Sequence, residues 1–218
     1  MTPFELLKTA CHAACRQTPA CAPSYRAMLK TENISQMMAV WREYWEDISG
    51  GKYADIINDR LPAAYPTLRK EMNAAGIYVN ECPKVAPEFV RVLVTDCDRI
   101  VDIYDYAKCY ILGNAIVYAW DHSQVYSERS DKAIIALNDH AYGYVSKGWV
   151  IAVNAAQLWT AADAVLNGSV ICEAHGGTVK AYAYRKLEAS GDTKVYAASE
   201  RNITLDGNAT IHPLTKED

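Results

Sequence analysis

From Val101 onward, apolar residues return at every eighth position: Val101, Cys109, Val117 and Val125, then Val179, Leu187, Val195, Ile203 and Ile211 downstream. Two residues after these stand Ile103, Ile111, Ala119 and Ser127, and later Ala181, Ala189, Ala197 and Leu205. Residues two apart share one face of a strand, so each pair marks a short strand with one side turned inward. Turn-forming residues fall between the pairs: Gly113-Asn114, Asp121, Asp131, Asn138-Asp139, Gly148, Gly176-Gly177, Gly191-Asp192 and Gly207-Asn208. A short strand and a tight corner, repeated about fourteen times, predict a solenoid.

The outward positions carry Tyr110, Tyr118, Tyr126, Tyr144, Lys180, Glu188, Tyr196, Thr204 and His212. This alternation predicts one dry and one wet face on every strand. Stacked strands then form parallel sheets, with right-handed crossovers. The coil holds either two octads in a flattened tube of about 16 residues or three in a triangular tube of about 24. Small inward residues and corners recurring at roughly 16 lean toward the narrower tube, whereas Gly143-Tyr144, Trp159 and the stretch Ala155–Gly168 break the beat. The predicted class is mainly β within α+β: a right-handed parallel β-solenoid behind an N-terminal helical capping domain.

The first 80 residues follow a different period. Thr2-Pro3-Phe4-Glu5 is a capping box, and Phe4, Leu7, Cys11, Ala14 and Cys15 make one apolar stripe, predicting a helix from Pro3 to about Cys15. A short helix is expected over Ser24–Lys30. Another starts near Asn33, with Trp41 and Trp45 in its core stripe and Gly50-Gly51 at its end. Tyr53–Leu61 predicts a fourth helix, and Pro66 or Thr67 opens a fifth that stops at Gly76. Ile77–Val79 and Phe89–Val94 read as strands. The domains are therefore 1–80 helical, 81–97 an elbow with the first strands, 98–212 solenoid and 213–218 a polar tail. The open end of such a tube invites aggregation. The tail covers it, or two C-terminal ends meet in a homodimer.

Composition narrows the function classes. The net charge of −4 argues against a nucleic-acid groove or an anionic membrane surface. An acidic stripe imitating nucleic acid would need Asp98, Asp102, Asp105, Asp121, Glu128 and Asp131 in a row, but Arg99, Lys108 and Arg129 interrupt them. No apolar run reaches the roughly 20 residues of a membrane helix. The start lacks the basic and apolar stretches of a signal peptide, and seven cysteines without pairing logic read as reduced thiols, so the expected location is cytoplasmic. Phosphate loops and nucleophile elbows are missing, and no cofactor is expected.

Three constellations remain. Cys11 and Cys15, one helical turn apart, could share a metal with Cys21, although both lie on the buried stripe of their helix. Asp121-His122 and Asp139-His140, with His175 beside Glu173, could supply acid and base groups for glycoside cleavage, although corners need Asp for turn geometry alone. The third is tyrosine, 15 residues against 2 Phe. Outward Tyr110, Tyr118, Tyr126 and Tyr144 with Trp120 would make an aromatic surface suited to protein or sugar, or merely cross-strand ladders.

Gly113–Asp121 (Gly-Asn-Ala-Ile-Val-Tyr-Ala-Trp-Asp) and Gly207–His212 resemble the octad arrays of bacterial and phage-encoded β-solenoid proteins. The leading helical segment, entering the repeat through Ala75–Val79, is similar to proteins of gut Bacteroidetes and their mobile elements. The resemblance implies a fold and a bacterial or phage origin, and carries no catalytic residues. Three readings follow: a non-enzymatic scaffold docking a protein partner through its tyrosine face, a carbohydrate-binding or carbohydrate-cleaving β-helix, and, least supported, the acidic rod.

Overall fold

In the computed structural model, which describes residues 1–16, 23–45, 54–85 and 89–215, Thr2 and Glu5 start the first helix as their spacing predicts. The Thr2 amide donates to Glu5 Oε2 (2.6 Å) and the Glu5 amide to Thr2 Oγ1 (3.2 Å). The Thr2 backbone and hydroxyl bonds favour the charged carboxylate and hold Glu5 below its ordinary pKa. Helix α1 (Pro3–Arg16) is followed by α2 (Pro23–Leu29) and α3 (Ile34–Glu43). Asn33 caps α3 by accepting from the Gln36 amide (3.0 Å). Trp41 and Trp45 are buried with Met37 and Met38, their rings 6.5 Å apart. Gly50-Gly51 lies outside the described residues.

The two helices expected on either side of Pro66 are one. Helix α4 spans Ala54–Ala74 with Pro62 and Pro66 inside it. Proline removes a helical donor and disfavours a helix interior, but here Leu61, Tyr65, Leu68 and Met72 keep one buried stripe running through both prolines. Burial of that stripe outweighs the missing bonds. Strand β1 (Ile77–Val79) completes this unit, Met1–Val79.

The second unit, Asn80–Asp218, is the solenoid. One sheet holds β2 (Arg91–Val94), β4 (Lys108–Ile111), β6 (Gln124–Ser127), β8 (Tyr142–Val145), β10 (Gln157–Thr160), β12 (Ile171–Ala174), β14 (Lys186–Ala189) and β16 (Ile203–Leu205) in that order. The other holds β3 (Ile100–Ile103), β5 (Ile116–Ala119), β7 (Ile134–Leu137), β9 (Trp149–Asn154), β11 (Asp163–Gly168), β13 (Thr178–Ala181), β15 (Lys194–Ala197) and β17 (Thr210–Pro213). These are the even and odd sheets. All neighbours within them are parallel, as in Val117 beside Val101 and Val125 beside Cys109. Two strands per turn means two octads per coil, in about eight coils.

Coil length varies from 14 residues, where Gln157 pairs with Ile171, to 18, where Gln124 pairs with Tyr142. The stretch 155–168 that broke the beat is thus regular β10 and β11 joined by shortened corners. Inward positions are buried along the tube, including Val101, Cys109, Val117, Val125, Val179, Leu187 and Val195. Gly143 is the informative exception in size. A Cβ there would come within 2.5 Å of Leu137 Cδ1, so leucine from the odd sheet fills the space that glycine leaves in the even one. In the final coil the pattern relaxes: Ile203 and Ile211 are half-buried and Leu205 is 40% exposed.

Candidate functional site

Because a strand alternates faces, the third residue of each even strand from β4 to β14 points outward, and the parallel register stacks these residues in a column. Tyr110, Tyr126, Tyr144, Trp159, Glu173 and Glu188 follow one another on successive strands. Tyr110 and Tyr126 stack at 5.2 Å and Tyr144 and Trp159 at 4.3 Å, with interplanar angles of 14° and 10°. Trp159 in turn stacks on His175 at 4.9 Å, and Tyr142 meets Tyr126 edge-on at 6.4 Å. The rings face one another along the tube axis, leaving edges and phenol groups turned outward. Trp159 and Tyr142 belong to this surface although their octads read as irregular.

Tyr118 and Trp120 are elsewhere. Successive octads alternate between sheets, so Tyr118 lies on the odd sheet and Trp120 at its corner, in T-shaped contact at 6.4 Å. The Trp120 indole donates to Asp102 Oδ1 (3.0 Å). The odd sheet's outer face is aliphatic only over its middle strands. Its first outward column runs Ile100, Ile116, Ile134, Trp149 and Asp163, then Thr178, Lys194 and Thr210; its second runs Asp102, Tyr118, Ala136, Ile151, Val165 and Lys180, then Tyr196 and His212. Ile100, Ile134 and Trp149 are 48%, 39% and 38% exposed. The sequence carries a signal for this strip: an apolar residue immediately before inward Val101, Val117, Ile135 and Val150, once per coil.

The corner residues Asp121-His122 and Asp139-His140 do come together. Asp105, Asp121 and Asp139 occupy the same corner of consecutive coils with φ of 54°, 57° and 54°, and Asn154 follows at 56°. Only Gly, Asn and Asp enter this left-handed region readily, which accounts for the residue type. The His122 and His140 amides donate to the Asp105 and Asp121 carbonyls (3.1 and 3.0 Å), and Asn154 Nδ2 donates to Asp139 Oδ1 (3.2 Å). Tyr106, His122 and His140 stack beside them at 5.4 and 5.3 Å. The carboxylates thus face along the tube into corner bonds and not across a groove.

One further chain of polar groups closes the even face. His175 Nε2 donates to Glu173 Oε1 (2.7 Å), and Nδ1 contacts Ser190 Oγ (2.8 Å). These are the atom types of an acyl-transfer triad, but the histidine and glutamate side chains are 36% and 54% exposed on a convex face, where water has free access. A hollow of about 200 Å³ is lined by Asn80, Cys82, Arg99, Asp102 and Tyr104 among others. Burial, opposed by a bond to the Tyr104 backbone and reinforced by Asp105 and Asp102, pushes the Cys82 thiol up to about 11, away from nucleophilic ionisation. Cys11 is buried, while Cys21 and the side chain of Cys15 lie outside the described residues. Among the described residues no cluster of three His, Cys, Asp or Glu could hold a metal ion, and no helix is long and apolar enough to cross a membrane.

No protein-family model, curated protein or solved structure matches this chain.

Proposed function

We propose that this chain is a non-enzymatic binding scaffold, of phage or bacterial origin, that docks a protein partner on the aromatic outer face of the even sheet in a reducing compartment such as the cytoplasm. The observation carrying this reading is the direction of the rings. Tyr144, Trp159 and His175 use their faces on each other, so what a partner would meet is ring edges and phenol groups on a rigid sheet, the Tyr126 hydroxyl already donating to Gln124 Oε1 (2.9 Å). Proteins are bound well by such amphipathic edges. A sugar platform needs an open ring face, which the stacked members of the column do not offer. If the protein is phage-borne, a host protein is the natural partner class.

The test uses tyrosine-to-phenylalanine changes, which keep the stack and delete the hydroxyls. Affinity capture from bacterial lysate compares the parent with the triple variant Tyr110→Phe, Tyr126→Phe, Tyr144→Phe. A partner held by the parent and lost by the triple variant supports the reading. Equal capture by both, or binding only to a polysaccharide array, overturns it.

A further inference from the structure

We propose that the Asp206-Gly207 corner is a site of spontaneous covalent modification, at which the main chain isomerises to isoaspartate with water as the sole co-reactant. Glycine follows an aspartate or asparagine at two places in the chain, Asn167-Gly168 and Asp206-Gly207. Such pairs share one reaction. The amide nitrogen that follows attacks the side-chain carbonyl carbon, and glycine, lacking Cβ, leaves the approach open. The sequence favours Asn167, because ammonia leaves an amide more readily than water leaves a carboxyl group. The fold reverses that order.

Asn167 and Gly168 sit at the end of β11, in register with Val153 and Asn154 of β9. The Gly168 amide donates to the Ala183 carbonyl (3.1 Å), and a Cβ on Gly168 would lie 2.6 Å from the Asn154 nitrogen. The attacking nitrogen is thus tied down by its own hydrogen bond and boxed in by backbone. Between β16 and β17 the surroundings differ. Asp206 and Gly207 are exposed, and outside its chain neighbours a Cβ on Gly207 would meet nothing nearer than the Gly191 nitrogen at 3.4 Å. The Gly207 amide donates to Asp206 Oδ1 (2.8 Å), so the nitrogen already lies against the carboxyl group it must attack. Other aspartate corners turn that amide elsewhere. After Asp121 and Asp139, the His122 and His140 amides donate to the Asp105 and Asp121 carbonyls (3.1 and 3.0 Å). After Asp192, the Thr193 amide donates to the Ser190 carbonyl (3.4 Å).

In the first step Gly207 N bonds to Asp206 Cγ, and one carboxyl oxygen leaves as water with the carboxyl and amide protons. Water then adds to either carbonyl of the cyclic imide. Addition at Cγ breaks the new bond and restores aspartate. Addition at the main-chain carbonyl breaks the original peptide bond to Gly207, so the chain now runs through Cβ and Cγ. The corner gains one main-chain carbon ahead of β17.

The full chain, aged in neutral buffer both folded and in urea, is mapped by mass spectrometry. Isoaspartate is counted by methyl transfer from S-adenosylmethionine with an isoaspartate-specific carboxyl methyltransferase. Folding should slow conversion of Asn167 about a hundredfold, the scale on which an ångström of misplacement slows a positioned reaction, and leave isoaspartate formation at position 206 as fast as in urea. Asp206→Asn gives both sites the same leaving group. In that folded variant position 206 should convert about a hundredfold faster than Asn167. Equal slowing of both sites by folding, or comparable rates at the two positions in Asp206→Asn, overturns the proposal. Neither result depends on lysate capture by the even face, so either reading can fail alone.

Discussion

The even and odd sheets stand on the same interior and obey the same octad, yet they carry different outer loads. On the even face, aromatic side chains pair with one another: Tyr110 with Tyr126, and Tyr144 with Trp159. On the odd face, Ile100, Ile134 and Trp149 stay well exposed despite their size. Stacked rings on neighbouring strands stabilise the fold that bears them. An exposed aliphatic strip contributes little until something covers it. Substitutions on the two faces should therefore differ in what they cost the fold, more on the even face and less on the odd.

The largest effect belongs to the interior that both faces share. Gly143→Val forces a side chain into the space of Leu137 and should lower unfolding free energy by about 3 kcal/mol in urea titration. Adding Leu137→Ala should recover a part of that loss, because the two positions fill one volume. Equal destabilisation with and without the second change would show that the sheets do not share this space. Next comes the ladder. Trp159→Ala removes two stacking partners and should cost about 2 kcal/mol. On the odd face Ile134→Ser should cost under about 0.5 kcal/mol in dilute solution. Equal costs would erase the distinction between the faces.

A pH series tests the interior chemically. Burial pushes Cys172, inward on β12, up to about 12, with Glu173 adding to the shift, and the fully buried Cys109 moves in the same direction. The folded protein keeps these thiols protonated while the unfolded chain ionises near 9.0. The sign follows: their contribution is complete below pH 9 and is lost as pH rises through the folded values. Stability should fall by about 1.4 kcal/mol per pH unit per buried thiol above that point, and Cys172→Ala should flatten the slope. A further effect, smaller than the ladder's, is expected at the corner joining the faces. Asp121→Ala places an ordinary residue at φ 57° and should cost about 1 kcal/mol, whereas Asp121→Asn should be near neutral. An asparagine variant as damaged as the alanine one would mean the carboxylate charge matters beyond turn geometry.

Strand positions were legible because burial of one face imposes a period of two, and turn residues mark where each strand stops. Coil size was not legible in the same way. The octad fixes what faces inward, but how many octads close a turn depends on the bend at each corner, which Asp or Gly permits without specifying its angle. That ambiguity also hid the site. A linear reading groups Tyr110, Tyr118 and Tyr126, yet two octads per coil send the middle one to the opposite sheet. Trp159 was hidden by a shortened coil, which shifts the beat without disturbing the register to Tyr144. The corner pairs Asp121-His122 and Asp139-His140 were legible as neighbours, since 18 residues is one long coil. In the helical unit, Pro62 and Pro66 read as a break because local rules outweigh, on paper, a buried stripe whose strength comes from packing.

The loosened final coil gives the tube a direction in time as well as in space. Each coil is held chiefly by its neighbours, so opening can begin wherever a coil has the least to lose. Leu205 and the half-buried Ile203 and Ile211 mark β16 and β17 as that place. Amide hydrogens there should exchange with solvent first, and protection should climb coil by coil toward Val117 and Val125. The molecule would then unravel as a zipper pulled from one end.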